Sequence, residues 1–181
     1  MVPGPLLSWP SDDSIQLVVT DGARYAQAMR ATVDALASRF EQGLYVTANR
    51  PHHVLHQQMA GIQGRLRFQY IDMVTGMTGL APPAVDGVVF VESPSFMEKM
   101  VMRSDQMLRR MPGRRVLVLD SLSTLAVYNG ASLVAEMAHN LVTRLRMQRA
   151  AAALVLVERQ TSEELVDTLR HLCDGVRRMD G

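Results

Sequence analysis

The runs VLVL at 116–119 and ALVLV at 153–157 are apolar at every position. A strand with one solvated face alternates polar and apolar residues. A short unbroken apolar run bounded by turn residues suits a strand covered on both faces, which is how parallel sheets are built. The same rhythm recurs along the chain. SIQLVVT (14–20), LYVTA (44–48), RFQYIDMV (67–74), GVVFVES (87–93), RRVLVLD (114–120) and AAALVLVE (151–158) are strand candidates. Between them lie helical stripes: Tyr25, Met29, Val33, Leu36 and Phe40; a segment opened by Pro51 and ended near Gly61; SFMEKMVMRSDQMLRRM; Leu133, Met137, Leu141 and Leu145 on a helix from about Gly130 to Arg149; and Leu165, Leu169 and Leu172. Thr161 and Glu164 have the spacing of a capping box. Strands alternating with helices of this length predict βαβ units. The expected fold is α/β: a three-layer sandwich with a mainly parallel central sheet.

The 181 residues suit one core. Residues 1–13, rich in Pro, Gly and Ser, are expected to form a flexible N-terminal arm, and 14–181 a single domain. Residues 75–86 read as an irregular loop. After CDGVRRMDG a further strand is left open. The first residues lack a charged start and a long apolar core, no apolar run reaches membrane-spanning length, and the one cysteine, Cys173, forms no internal disulfide. A cytoplasmic protein is the expectation. A net charge of +1 supplies no global field to draw nucleic acid or an acidic membrane.

Ligands of such sheets gather beyond the carboxyl ends of the strands. The groups there are Asp21, Gly22, Asn49, Arg50, Asp72, Glu92, Ser93, Asp120, Ser121, Glu158 and Arg159. Asp120, at the end of a buried strand, stands where an aspartate could hold nucleotide-bound magnesium. That chemistry also needs a phosphate loop, G-x-x-x-x-G-K-[ST], after the first strand. Here the stretch is VVTDGARYAQAMRA. Counted from Gly22, the second glycine is Gln27, the lysine is Ala28 and the hydroxyl residue is Met29. The chain's one lysine is Lys99, on a different helix. An arginine's planar fork is a poor substitute for a point ammonium in that cradle, and Arg24 and Arg30 read as solvent-facing helix charges. Asp21 adds a carboxylate at the helix mouth, where it can satisfy the helix dipole itself and repel phosphate.

The stretches LYVTANRP, VVFVESPS, RRVLVLDSLSTLAVYN, ALVLVE and TSEELVDTLRHLCDGV, in this order over residues 14–176, resemble the KaiC-like branch of the RecA ATPase superfamily, especially its short archaeal members. The resemblance implies a RecA-like P-loop NTPase topology. Active members carry a full phosphate loop and an acidic pair after the second strand that activates water. In this chain that pair falls on Ala48-Asn49. With cradle and base both missing, the expectation is a protein without catalytic residues, needing no cofactor, that works as a regulatory or protein-interaction module through a protein partner or homo-oligomer. A second reading is an atypical ATPase with ATP and magnesium at Asp120, Gly22 and Arg50, Glu92 or Glu158 as base and Arg159 on phosphates. A third is a nucleic-acid-binding accessory protein using arginine faces such as Arg103, Arg109, Arg110, Arg114 and Arg115; aromatic residues, at 5%, are too few for a stacking platform.

Other constellations have plainer readings. His52 and His56 have zinc-ligand spacing without a third ligand, so His52, His53 and His56 are expected on the surface and no metal site is assigned. Ser121 and Ser123 lack a nucleophile elbow and read as turn hydroxyls. Cys173 is expected to pack under the last helix. Met97, Met100, Met107 and Met111 recur at helical spacing, with Met102 off the line, which suits core filling more than an interface.

Overall fold

The computed structural model describes residues 8–61 and 66–179. These form a seven-stranded sheet in which every pairing is parallel: β1 (Ile15–Thr20), β2 (Gln42–Thr47), β3 (Arg67–Asp72), β4 (Val88–Phe90), β5 (Arg115–Asp120), β6 (Ala151–Val157) and β7 (Gly175–Arg178), in the order β4-β3-β2-β5-β6-β1-β7. Helices α1 (Tyr25–Ala37) and α2 (His52–Met59) cover one face. Helices α3 (Met97–Arg110), α4 (Leu122–Asn129), α5 (Ala131–Met147) and α6 (Glu163–Leu172) cover the other. The three-layer α/β sandwich is therefore the fold.

Side chains alternate between faces along each strand, and this divides the interior into two cores. Leu117 and Leu119 of β5 pack with α3, α4 and α5, whereas Val116 and Val118 pack with α1 and α2. All seven residues of β6 are buried, as its apolar run requires. Of the expected methionine stripe, Met97, Met100 and Met111 are buried, Met107 packs at the margin, and Met102 is exposed.

Several local features differ from the sequence-based expectation. The stretch Leu122–Asn129 is a separate helix, capped by Ser121 and parted from α5 by Gly130, whose φ of 84° breaks the helical path. Thr75–Thr78 form a 3-10 turn within the expected loop. Ser162, not Thr161, caps α6, and Thr161 pairs with Ser123. A seventh strand is made by GVRR at the sheet edge. Residues 1–7 of the N-terminal segment lie outside the described residues. Trp9 is buried, donates Nε1–H to the Ser14 carbonyl at 3.2 Å, and lies under the Arg177 guanidinium.

Gly43 of β2 sits beneath the Phe68 ring; a Cβ there would lie 2.5 Å from Phe68 Cε1. That ring also packs edge-on to Tyr45, which shapes the site described below. Gly43→Val is expected to cost about 1–3 kcal/mol in urea denaturation. Adding Phe68→Ala should recover part of the cost, because the obstructing ring is gone; additive losses would contradict this packing.

Candidate functional site

β2 is left by α2 on one face of the sheet, and its neighbour β5 is left by α4 on the other. The chain parts there, forming the crevice where α/β sheets place ligands. Register sets what fills it: Thr47 of β2 lies opposite both Asp72 of β3 and Asp120 of β5. Asp72 follows Tyr70 by two positions and Asp120 follows Val118 by two. Both carboxylates therefore share the face of α1 and α2.

Asp120 is fully buried. Its Oδ2 accepts hydrogen bonds from the Tyr25 hydroxyl, at the start of α1, and from the Tyr45 hydroxyl at 2.8 Å. Its Oδ1 accepts from Asn49 Nδ2 at 2.8 Å. The Thr124 hydroxyl bonds Asn49 Oδ1 and lies 3.1 Å from Ser121 Oγ, which itself accepts from the Thr124 amide at 3.3 Å. The peptide between Asp120 and Ser121 is cis. Arg50 completes the group, with its guanidinium 5.6 Å from the centroid of the Tyr25 ring and Nη1 donating to Gln58 at 3.1 Å.

Burial pushes the Asp120 carboxyl above the usual aspartate range, while the bonds from Tyr25, Tyr45 and Asn49 and the charge of Arg50 push it back down. Both phenols move the same way. Burial, then the Asp120 charge, holds Tyr25 and Tyr45 well above the ordinary tyrosine value. They act as hydrogen-bond donors to the carboxylate.

Asp72 solves the same burial problem differently. Its Oδ2 accepts from the His52 amide at 2.8 Å and the Thr75 hydroxyl at 2.7 Å, and its Oδ1 from the amides of Val74 and Thr75 at 2.8 and 2.9 Å. Burial opposes the charged form, but these donors outweigh it and hold the carboxyl below its ordinary value. The bond to the His52 amide ties down the first turn of α2. His52 corrects the surface expectation: its ring is turned inward, with Nδ1 3.0 Å from Asp72, whereas His53 and His56 are exposed. Among the described residues no group of three or more His, Cys, Asp or Glu is placed to hold a metal.

The remaining candidates are dispersed. Gly22 is exposed, and a Cβ there would lie 4.0 Å from Gln160 Nε2. Asp21 Oδ1 accepts the Arg24 amide at 2.7 Å, just before α1. Glu92 pairs with Lys99 at 2.5 Å and Glu158 with Arg178. Arg159 is exposed, with a positive φ of 64°. Ser93 Oγ accepts from the Ser95 amide at 3.0 Å. Cys173 packs against the core edge, and burial pushes its thiol up to about 12. Asn49, Arg50, Asp120 and Ser121 thus come together, while Asp72 heads a second cluster. Tyr25 and Tyr45 were the residues that sequence reasoning missed. A tyrosine amid a buried strand signals a hidden hydroxyl needing a partner, though not which one.

The chain belongs to a family of unknown function (DUF7090), whose profile matches residues 66–181. That span includes Asp72 and Asp120; Tyr25, Tyr45, Asn49 and Arg50 precede it. No curated protein sequence matches the chain. Among solved structures the fold is similar to a KaiC-like protein, PH0186, from the hyperthermophilic archaeon Pyrococcus horikoshii, with a TM-score of 0.60 and 14% identity over 91% of this chain and 69% of that one. It is also similar to an uncharacterized protein, PH0321, from Pyrococcus horikoshii, solved in complex with an unknown peptide, with a TM-score of 0.66 and 13% identity over 92% of this chain and 77% of that one. The fold is therefore KaiC-like, of the RecA type. No helix among the described residues is long and apolar enough to cross a membrane.

The phenols carry a pH prediction. Folded-state values above the ordinary 10.0 mean that the stability Tyr25 and Tyr45 contribute is present below about pH 10 and is lost as pH rises past it. Phenolate absorbance of the Tyr25→Phe, Tyr45→Phe double variant should match that of the unmodified chain until alkaline unfolding. A deficit in the variant near pH 10, with both proteins folded, would contradict the buried network.

Proposed function

We propose that this protein is a non-catalytic member of the RecA/KaiC-like fold that acts as a regulatory or protein-interaction module, through a protein partner or its own oligomer. The observation that carries the reading is the Asp120 carboxylate. Its oxygens are taken by two phenols and a side-chain amide of the same chain. A magnesium ion would have to displace those donors. The phenol of Tyr25 comes from the start of α1, where a phosphate loop would present its lysine and hydroxyl.

Three further features support it. The segment between β1 and α1 has no lysine, and Asp21 already serves the helix mouth. Asn49 stands where the water-activating acids of active relatives would fall, and its amide is committed to Asp120. Large apolar side chains stay exposed near the carboxyl edge of the sheet, among them Met77, Leu80, Val127 and Tyr128, with the Tyr128 hydroxyl 3.8 Å from Met77 Sδ. Exposed apolar surface of this kind suits a protein contact. The structurally similar PH0321 was solved with an unknown peptide, so this fold has held one.

Titration with a fluorescent ATP analogue, with and without magnesium, tests the reading. The expected result is no saturable magnesium-dependent binding into the hundred-micromolar range and no turnover after rigorous purification. Micromolar, magnesium-dependent binding that Asp120→Asn abolishes would establish the atypical ATPase instead.

A further inference from the structure

Between α1 and α2 a cleft of about 440 Å³ opens beside Tyr25. Its floor is apolar: Met29, Leu55 and Met59 are each at most 5% exposed. Two arginines stand on it, Arg30 from α1 and Arg50 from the loop before α2, and no acidic residue lines it. Arg30 reaches toward the end of α2, its Nη2 3.9 Å from where a Cβ on Gly61 would sit. Neither arginine forms an ion pair with a carboxylate among the described residues. The Arg50 charge also acts on Asp120, but that carboxylate's oxygens are committed to their own donors.

Two cations without a direct ion-pair partner among the described residues, facing one half-enclosed space, concentrate anions there. The guanidinium fork matches the planar oxygens of a carboxylate or the faces of a phosphate, and such charge-assisted bonds are the strong ones. The floor asks for something different from the ligand's other end. Two thioethers and a leucine adapt to an aliphatic or aromatic body and offer it no hydrogen bonds. The volume lies within the range of small-molecule sites, which combine a mostly apolar lining with few polar anchors. Gly22, Asp21 and Asp120 are not part of this lining, although Gln27 and Met29, at positions a phosphate loop would use, are.

We propose that the α1–α2 cleft binds a small amphipathic oxyanion, its head held by Arg30 and Arg50 and its apolar body lying on Met29, Leu55 and Met59. This goes beyond the interaction-module reading and does not depend on it. An occupant would lie against Tyr25, whose hydroxyl holds Asp120, and so would touch the crevice network from outside.

Isothermal titration with octanoate, octyl phosphate and neutral octanol tests the proposal. At least one oxyanion should bind at one site per chain, about ten-fold or more tighter than octanol, and the tighter head group names the natural class. Arg30→Gln and Arg50→Gln, each checked for an unchanged circular dichroism spectrum, should each weaken that binding by about ten-fold. Leu133→Gln, in the separate groove between α3 and α5, should leave it unchanged. Octanol binding as tightly as the oxyanions, arginine variants that bind as well as the parent, no binding by any probe, or displacement of the oxyanion by stoichiometric magnesium-ATP would each overturn it.

Discussion

A carboxylate at the end of a central strand, cut off from water, must be given donors or be lost as a charge. Asp120 sets this requirement, and the crevice is arranged around it. Tyr25 supplies a hydroxyl from α1, Tyr45 another from β2, and Asn49 an amide from the loop after β2. Each donor binds a different element to β5, so the carboxylate acts as a common anchor for three separate segments. Leaving such a group without its donors costs about 1–3 kcal/mol per missing bond. With these donors in place both carboxylate oxygens are occupied from within the chain.

Asp72 meets the same constraint with different donors. It lies one strand beyond β2, at the same register and on the same face, and is equally buried. Its donors are mostly backbone amides that come with the turn into Val74 and Thr75 and the start of α2. The amides and hydroxyl around Asp72 outweigh its burial, whereas around Asp120 burial outweighs the donors. One aspartate shapes a loop; the other ties side chains across the top of the sheet. Between α1 and α2, the same Tyr25 that closes the Asp120 site forms one wall of the cleft lined by Arg30 and Arg50.

The sheet was legible because both faces are covered. VLVL and ALVLV leave no polar position, as a strand covered on both faces does. The break at Gly130 was not, since the polar Ser121, Ser123 and Thr124 of α4 resemble a loop until Ser121 is seen capping it. β7 is short, with its two arginines and a half-exposed valine carrying no buried pattern. At the site, Asp120 and Asn49 could be placed at strand ends from spacing alone. Tyr25 could not, because it falls on the apolar stripe of α1 and its hydroxyl finds a partner 95 residues away. His52 was misplaced for a similar reason: its partner, Asp72, lies across a strand rather than along the helix.

The proposed role requires the Asp120 carboxylate to be closed to metal. Paramagnetic broadening by manganese, read residue by residue in the amide NMR spectrum, addresses this directly. With the crevice closed, the amides of Asn49, Ser121 and Thr124 keep their intensity as manganese is added, with or without ATP. Selective loss of those signals, reversed by excess magnesium, would mean that Asp120 holds a cation after all.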